Sequence, residues 1–213
     1  MSLEEKLSAG LIRLKLELSQ DTHDRLLAYV ALLQKWNTVY NLTAVREADK
    51  MLSYHLFDCL AVVPHVTRAV TGTTILDVGS GAGLPGIPLA LVLPDMHITL
   101  LDSNQKKTAF LQQAVIELNL KNVEVICARV EKFPSNQKFS AVISRAFADL
   151  SKFVKLAGPL VSPGGVLLAM KGVMVEEFDQ LKRGFAGFTR GDVVPLTVPS
   201  LKAERALFIL KAA

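Results

Sequence analysis

Cysteine is scarce in this 213-residue chain: Cys59 and Cys127 are the only two, and they stand far apart. No C-x-x-C is possible and neither has a metal-ligand neighbourhood, so no structural zinc or other metal is expected. Both read as buried, reduced thiols of a cytoplasmic protein. Long apolar runs are missing too, since none approaches the roughly 18 residues of a membrane span. The opening MSLEEKLSAGLIRLKLELSQ starts with acids and mixes charge into its apolar positions, unlike a signal peptide. Repeats, linkers and low-complexity stretches are also lacking. A large charge imbalance is absent, the net being +4. That +4 is unevenly placed. Residues 1–70 carry eight basic and eight acidic side chains, whereas Lys106 to Lys171 holds ten basic and four acidic. Such asymmetry suits a polyanionic partner, although an ordinary solvated surface would explain it equally well.

Half the residues are hydrophobic, enough for one sizeable core. The first third reads as helices. Leu26, Leu27, Val30, Leu33, Trp36, Val39 and Tyr40 recur at helical spacing, with Ser19, Asp21 or Thr22 as the cap. Asn41-Leu42-Thr43 breaks that pattern, and a further helix is predicted from Ala48 to Val63, stopping at Pro64. After Thr71-Gly72 short apolar runs alternate with helical stretches: TTILDV, HITLLD, VEVICARV, FSAVISRA and GGVLLAMK. Their continuity predicts strands buried on both faces, and the β-α-β-α rhythm a doubly wound parallel sheet. The clearest helix is Lys106 to Leu120, with Ala109, Phe110, Ala114, Val115 and Leu118 on its apolar side. DVVPLTV and RALFILKA are separated by too short a loop for a crossover helix and should pair antiparallel. Residues 1–70 are thus expected to be a helical extension packed on a domain of residues 71–213.

Within ILDVGSGAGLPGIPLA, residues 75–90, two glycine patterns overlap. Gly81 to Gly86 matches the G-x-G-x-x-G dinucleotide fingerprint, and Asp77 to Gly83 matches the D-x-G-x-G-x-G of S-adenosylmethionine enzymes. Pro85 and Pro88 suit a first helical turn. Asp102, 19 residues after Gly83, is placed to bind ribose hydroxyls. Two features favour the methyl donor. Asp77 would repel a pyrophosphate but tolerate the amino end of a zwitterionic sulfonium ligand, and the antiparallel strand pair suits a class I methyltransferase sheet of seven strands. A small NAD-dependent oxidoreductase and a non-catalytic RNA- or nucleotide-binding module remain as alternatives. Neither cysteine sits where a cytosine C5 methyltransferase needs its nucleophile. In place of the N-P-P-Y of amine methyltransferases the chain has Ile143-Ser144-Arg145-Ala146-Phe147.

DVGSGAGLPGIPLA, LLDSNQKKTAFL, ARVEKF, VISRAFADL and AMKG, with WNTVYNLTA and HLFD upstream, resemble the RsmG (GidB) family from about Leu26 to Leu210. These are methyltransferases of a guanine N7 in 16S ribosomal RNA, guanine 527 in the family. The resemblance implies S-adenosylmethionine as cofactor. It implies 16S rRNA as partner, within the small ribosomal subunit or its assembly intermediate, and neither DNA nor membrane. It assigns cofactor contacts to Gly79 and Leu84 in the loop, to Val130 and Glu131 beside the adenine, and to Arg145; Asp77, Gly81 and Asp102 join them from the motif itself. Arg145 and Lys171 are the candidates for positioning the reaction, and His55, Lys171 and Arg205 for holding RNA. His55 and Asp58 match a family signature, or simply bond one helix to another. Asn41 and Thr43 either cover the cofactor or cap a helix, and Trp36 reads as core rather than a stacking platform. The chain departs from the family at Tyr54, Cys59 and Ala206, which bear on RNA contacts and leave the cofactor positions untouched.

Guanine N7 carries an in-plane lone pair and no proton, so the absence of an evident base or nucleophile agrees with that chemistry. The enzyme has only to align N7, methyl carbon and sulfur and to exclude water. An arginine bound to both O6 and N7 would mask the nucleophile, so Arg145 or Lys171 must hold O6 or phosphate instead.

Overall fold

The computed structural model describes residues 1–134, 136–147, 149–172, 184–189 and 191–213. Seven strands form one sheet in the order β3-β2-β1-β4-β5-β7-β6. They are β1 (Thr74–Val78), β2 (His97–Asp102), β3 (Val123–Cys127), β4 (Phe139–Ser144), β5 (Val161–Lys171), β6 (Asp192–Leu196) and β7 (Arg205–Lys211). β1 to β5 run parallel, β7 pairs antiparallel with β5, and β6 pairs antiparallel with β7. Chain order reverses between β1 and β4, so their carboxyl ends open the crevice where such sheets bind ligands.

Alternate residues of β1 serve opposite faces. Ile75 joins one apolar core with helices α1 (Leu3–Leu14), α2 (Gln20–Tyr40), α6 (Gly86–Val92) and α7 (Gln105–Glu117). Leu76 and Val78 join a second core with α8 (Leu150–Ala157). Ser19 caps α2 by accepting from the Thr22 N–H at 3.2 Å. The far end of α2 stops at Asn41, whose φ of 48° breaks the helix. Trp36 is partly buried between Tyr40 and Phe110. No helix among the described residues is long and apolar enough to cross a membrane.

Five expectations need correction. The stretch from Ala48 to Val63 is no single regular helix: α3 (Ala48–Met51) passes into a π-helical segment, Leu52–Phe57, then α4 (Asp58–Leu60). Pro64 does not end it but lies in the first turn of α5 (Val63–Ala69), where its missing N–H costs nothing. Cys127 is exposed, because β3 is an edge strand covered lightly on both faces; only Cys59 is buried. Ala109 is exposed on α7, whose inner face is instead Thr108, Phe110, Leu111 and Ala114. In addition, only a 3₁₀ turn, Val130–Lys132, stands among the described residues between β3 and β4, where a helix was expected.

Candidate functional site: a cleft along the carboxyl edge of the sheet

The loop between β1 and α6 is held through its own backbone N–H groups, which find a neighbouring carbonyl and two carboxylates. The Gly79 and Ser80 N–H groups donate to the Leu101 carbonyl at 2.7 and 3.1 Å. The Gly81 N–H donates to Asp102 Oδ2 at 2.9 Å, and Asp102 Oδ1 accepts from the Asn104 N–H at 2.8 Å. Asn104, rather than Asp102, caps α7. Gly79 adopts φ 74°, in the left-handed region open to glycine. A side chain on Gly86 would meet Leu100 at 2.2 Å and the Asp77 carboxylate at 2.8 Å, so glycine lets α6 start directly against the sheet.

Asp77 is fully buried beneath this loop, where Oδ2 accepts from the Gly86 N–H at 2.9 Å. Burial pushes its pKa up to about 7, opposed by the Gly86 N–H and Ser80. The loop backbone therefore stands over Asp77, and in this structure the carboxylate ties loop to strand. Two residues that sequence reasoning missed complete the frame. Tyr29, buried in α2, donates its hydroxyl to the Ala82 carbonyl at 2.7 Å. Ser144, at the end of β4, donates to the Val78 carbonyl at 2.7 Å and accepts from the Ala146 N–H at 3.0 Å. For Tyr29 the available signal was general: a buried tyrosine hydroxyl needs an acceptor.

Three cavities follow one another along this edge. The first, about 340 Å³, is lined by Gly79, Asp102, Lys107, Val130, Glu131 and Ala146 among others. The second, about 170 Å³, shares Gly79 and Ala146 with it and adds Leu42, Thr43, Gly81, Leu84 and Arg145. The third, about 370 Å³, shares Arg145 with the second and adds His55, Asp58, Lys171 and Arg205. Of the expected cofactor residues, Gly79, Gly81, Leu84, Asp102, Val130, Glu131 and Arg145 thus meet in the first two, while Asp77 lies behind them. The expected RNA residues His55, Lys171 and Arg205 meet in the third. Lys171 is buried rather than a plain surface lysine, being the last residue of β5. Lys107 was not anticipated; its Nζ would stand 3.9 Å from a side-chain carbon placed on Gly81.

The third cavity is organised by Asp58. Its carboxylate is almost fully buried and meets Arg145 Nη1 at 3.1 Å and Arg205 Nε at 3.3 Å. Burial raises the Asp58 pKa, and the two guanidinium groups oppose that rise. Arg145 Nη1 also donates to the Tyr54 carbonyl at 3.1 Å, and Nη2 lies 3.5 Å from His55 Nδ1. Burial and the adjacent Arg145 charge push the His55 pKa down to about 4, leaving a neutral imidazole at physiological pH. His55 Nε2 lies 2.7 Å from Thr43 Oγ1. The residues His55 and Asp58 therefore bond the π-helical segment and the start of α4 to Arg145 and, at the same time, face a cavity.

Residues 22–208 match the family described as GidB, rRNA small subunit methyltransferase G. The chain belongs to that family. Its members include "Ribosomal RNA small subunit methyltransferase G" of Laribacter hongkongensis, 53% identical over 208 residues and 97% of both chains. A protein of the same name from Neisseria meningitidis serogroup C is 50% identical over 211 residues and 99% of both chains. Among solved structures, an S-adenosylmethionine-dependent methyltransferase from Aquifex aeolicus superposes with a TM-score of 0.60 at 21% identity, over 84% of this chain and 97% of that one. The plantazolicin methyltransferase in complex with SAH gives 0.61 at 12% identity, over 89% and 97%. These two share the fold: class I methyltransferase, with a mostly parallel seven-stranded sheet whose last strand is antiparallel.

The cofactor of this RsmG-family chain is S-adenosylmethionine, and the residues present fit it. A side-chain carbon on Gly81 would have no neighbour nearer than 3.8 Å, so the loop offers bare backbone to an open cradle. Asp102 retains acceptor capacity for ribose hydroxyls beside its two N–H contacts. Val130 and Glu131 supply an apolar face and a carboxylate on the same cavity wall.

Proposed function

We propose that this chain moves a methyl group from S-adenosylmethionine to N7 of a guanine in 16S rRNA, acting in the cytoplasm on the small ribosomal subunit or its assembly intermediate. Residues 71–213 carry the cofactor cradle, and residues 1–70 are a helical extension packed on them that adds Thr43, His55 and Asp58 to the cleft. The observation that carries this reading is the run of three adjoining cavities: a nucleoside cradle, a narrow junction, and a pocket bearing Arg145, Lys171 and Arg205.

The bound cofactor supplies an electrophilic methyl group, which the N7 lone pair takes while the carbon–sulfur bonding pair returns to sulfur and no proton moves. The protein's part is alignment. Asp102, Val130 and Glu131 hold the nucleoside, and Gly79 and Gly81 admit it against the backbone. Leu84 covers the junction. Arg145, clamped by Asp58 and the Tyr54 carbonyl, presents a fixed positive edge between the two ligands. Arg205 and Lys171 are suited to phosphate or to guanine O6, which leaves N7 unmasked. His55, neutral and buried, holds Arg145 and Thr43 in register rather than exchanging protons.

The test offers methyl-labelled S-adenosylmethionine with small subunits from cells lacking the protein, then digests the RNA and identifies the labelled nucleoside. Label in N7-methylguanosine of 16S rRNA is expected, and its loss in Arg145→Ala. Label elsewhere would overturn the substrate assignment and keep the reaction class.

A further inference from the structure

Thr43 stands on a turn fastened from below. Its N–H donates to Asn37 Oδ1 at 2.9 Å, and Asn37 Nδ2 donates to the Val45 carbonyl at 3.0 Å, so one buried asparagine clasps both ends of the turn. The turn brings Thr43 onto the wall of the small second cavity, which meets the first at Gly79 and Ala146. A nucleoside held by Asp102 and Glu131 in the first cavity must send its 5′ substituent past Gly79 into the second. That substituent is the amino-acid end of the cofactor.

Among the described residues, three polar side chains line the second cavity. Ser80 is buried and its hydroxyl already donates to the Asp77 carbonyl at 2.9 Å. Arg145 is turned to Asp58, Tyr54 and His55 by three contacts. Thr43 is the third, and its hydroxyl can be counted through. Oγ1 has two lone pairs and one proton. One lone pair accepts from the Val45 N–H at 3.2 Å. The other faces His55 Nε2 at 2.7 Å. Arginine can only donate, and the tautomer of His55 with its ring proton on Nε2 satisfies both the Arg145 Nη2 contact at Nδ1 and the Thr43 contact. In that tautomer His55 donates to Thr43. With both lone pairs used, the Thr43 hydroxyl is left with its proton alone.

A hydroxyl in that condition recognises an acceptor and rejects an ammonium group. We infer that Thr43 donates to the carboxylate of S-adenosylmethionine, with His55 and Val45 fixing it as a donor. The inference rests on the cofactor reading above and deepens it by orienting the amino-acid end of the ligand. Thr43 is thereby a specificity residue for that end, and His55 a positioning residue behind it.

Titration calorimetry with two ligands tests this. S-adenosylhomocysteine keeps the carboxylate, whereas 5′-methylthioadenosine lacks the whole amino-acid end. In Thr43→Val the affinity for S-adenosylhomocysteine should fall about tenfold to hundredfold, as for a lost hydrogen bond to a charged group. Affinity for 5′-methylthioadenosine should stay within about twofold. Thr43→Ser should recover S-adenosylhomocysteine binding. Thr43→Ala carries the same expectation as the valine variant and replaces it if that variant does not fold. Equal weakening of both ligands would reduce Thr43 to a scaffold for the turn and overturn the assignment, as would no weakening of either. Failure of the unaltered protein to bind S-adenosylhomocysteine would instead bring down the cofactor reading, and the Thr43 assignment with it.

Discussion

The nucleoside end of the cleft and the basic pocket at its other end are built in opposite ways. The first is local: Gly79 to Gly86 is one stretch of chain, whose N–H groups donate to the Leu101 carbonyl and to the Asp102 and Asp77 carboxylates. The second gathers His55 and Asp58 from the π-helical segment and α4, Arg145 after β4, Lys171 at the end of β5 and Arg205 at the start of β7. Backbone donors to two carboxylates, Asp77 and Asp102, hold the first. Ion pairs through one buried carboxylate hold the second. A site of the first kind is rigid because its parts are covalent neighbours. A site of the second kind is rigid only while its charges balance.

The sharpest way to break that contrast is to remove the balancing charge. Asp58→Ala leaves Arg145 and Arg205 facing one another without their shared anion. Breaking a buried pair from one side costs roughly 3 kcal/mol or more. Thermal or denaturant unfolding should register that loss, whereas 5′-methylthioadenosine, which touches only the nucleoside end, should bind as before. Weakened nucleoside binding would mean that the two ends are not separately built.

The nucleoside end has its own buried carboxylate, and it responds to pH. The Asp77 pKa is raised in the fold to about 7, so folding favours the protonated form. The stability this supplies is complete below the unfolded pKa near 4 and is lost as pH rises towards 7. Asp77→Asn lacks that loss. Its stability relative to the unaltered protein should therefore improve by roughly 2 kcal/mol between pH 5 and pH 7, read from denaturant midpoints. A flat difference would place the Asp77 titration elsewhere.

The smallest effect is expected at the rim of the basic pocket. Arg205→Ala should leave cofactor affinity alone and weaken RNA binding, with the slope of log affinity against log salt reduced by about 1. An unchanged slope would remove Arg205 from the RNA surface.

The same contrast explains what could be read in the sequence. The continuous apolar runs of β1, β2, β4 and β5 were legible, as were the glycine loop and Asp102, because each is a pattern within a few residues. β3 reads like its neighbours, yet its place at the sheet edge exposes Cys127, and nothing in VEVIC marks a strand as an edge. The apolar spacing from Ala48 to Val63 does not separate an α-helix from one interrupted by a π-helical segment, since both bury one face. His55, Lys171 and Arg205 were found by resemblance alone. Lys171 and Arg205 meet because strand order places β5 and β7 side by side, and His55 reaches the same pocket from the π-helical segment. Tyr29 and Ser144 escaped notice because each bonds a main-chain carbonyl, and carbonyls leave no signature in sequence.

Arg145 forms part of the wall of both the junction cavity and the basic pocket. One side chain thus belongs to two ligands, and thermodynamic reciprocity follows. Any factor by which the methyl donor changes the grip on RNA through Arg145 is the factor by which RNA changes the grip on the donor. After transfer the same symmetry governs departure: if the two products hold Arg145 differently, the release of either one alters the affinity of the other.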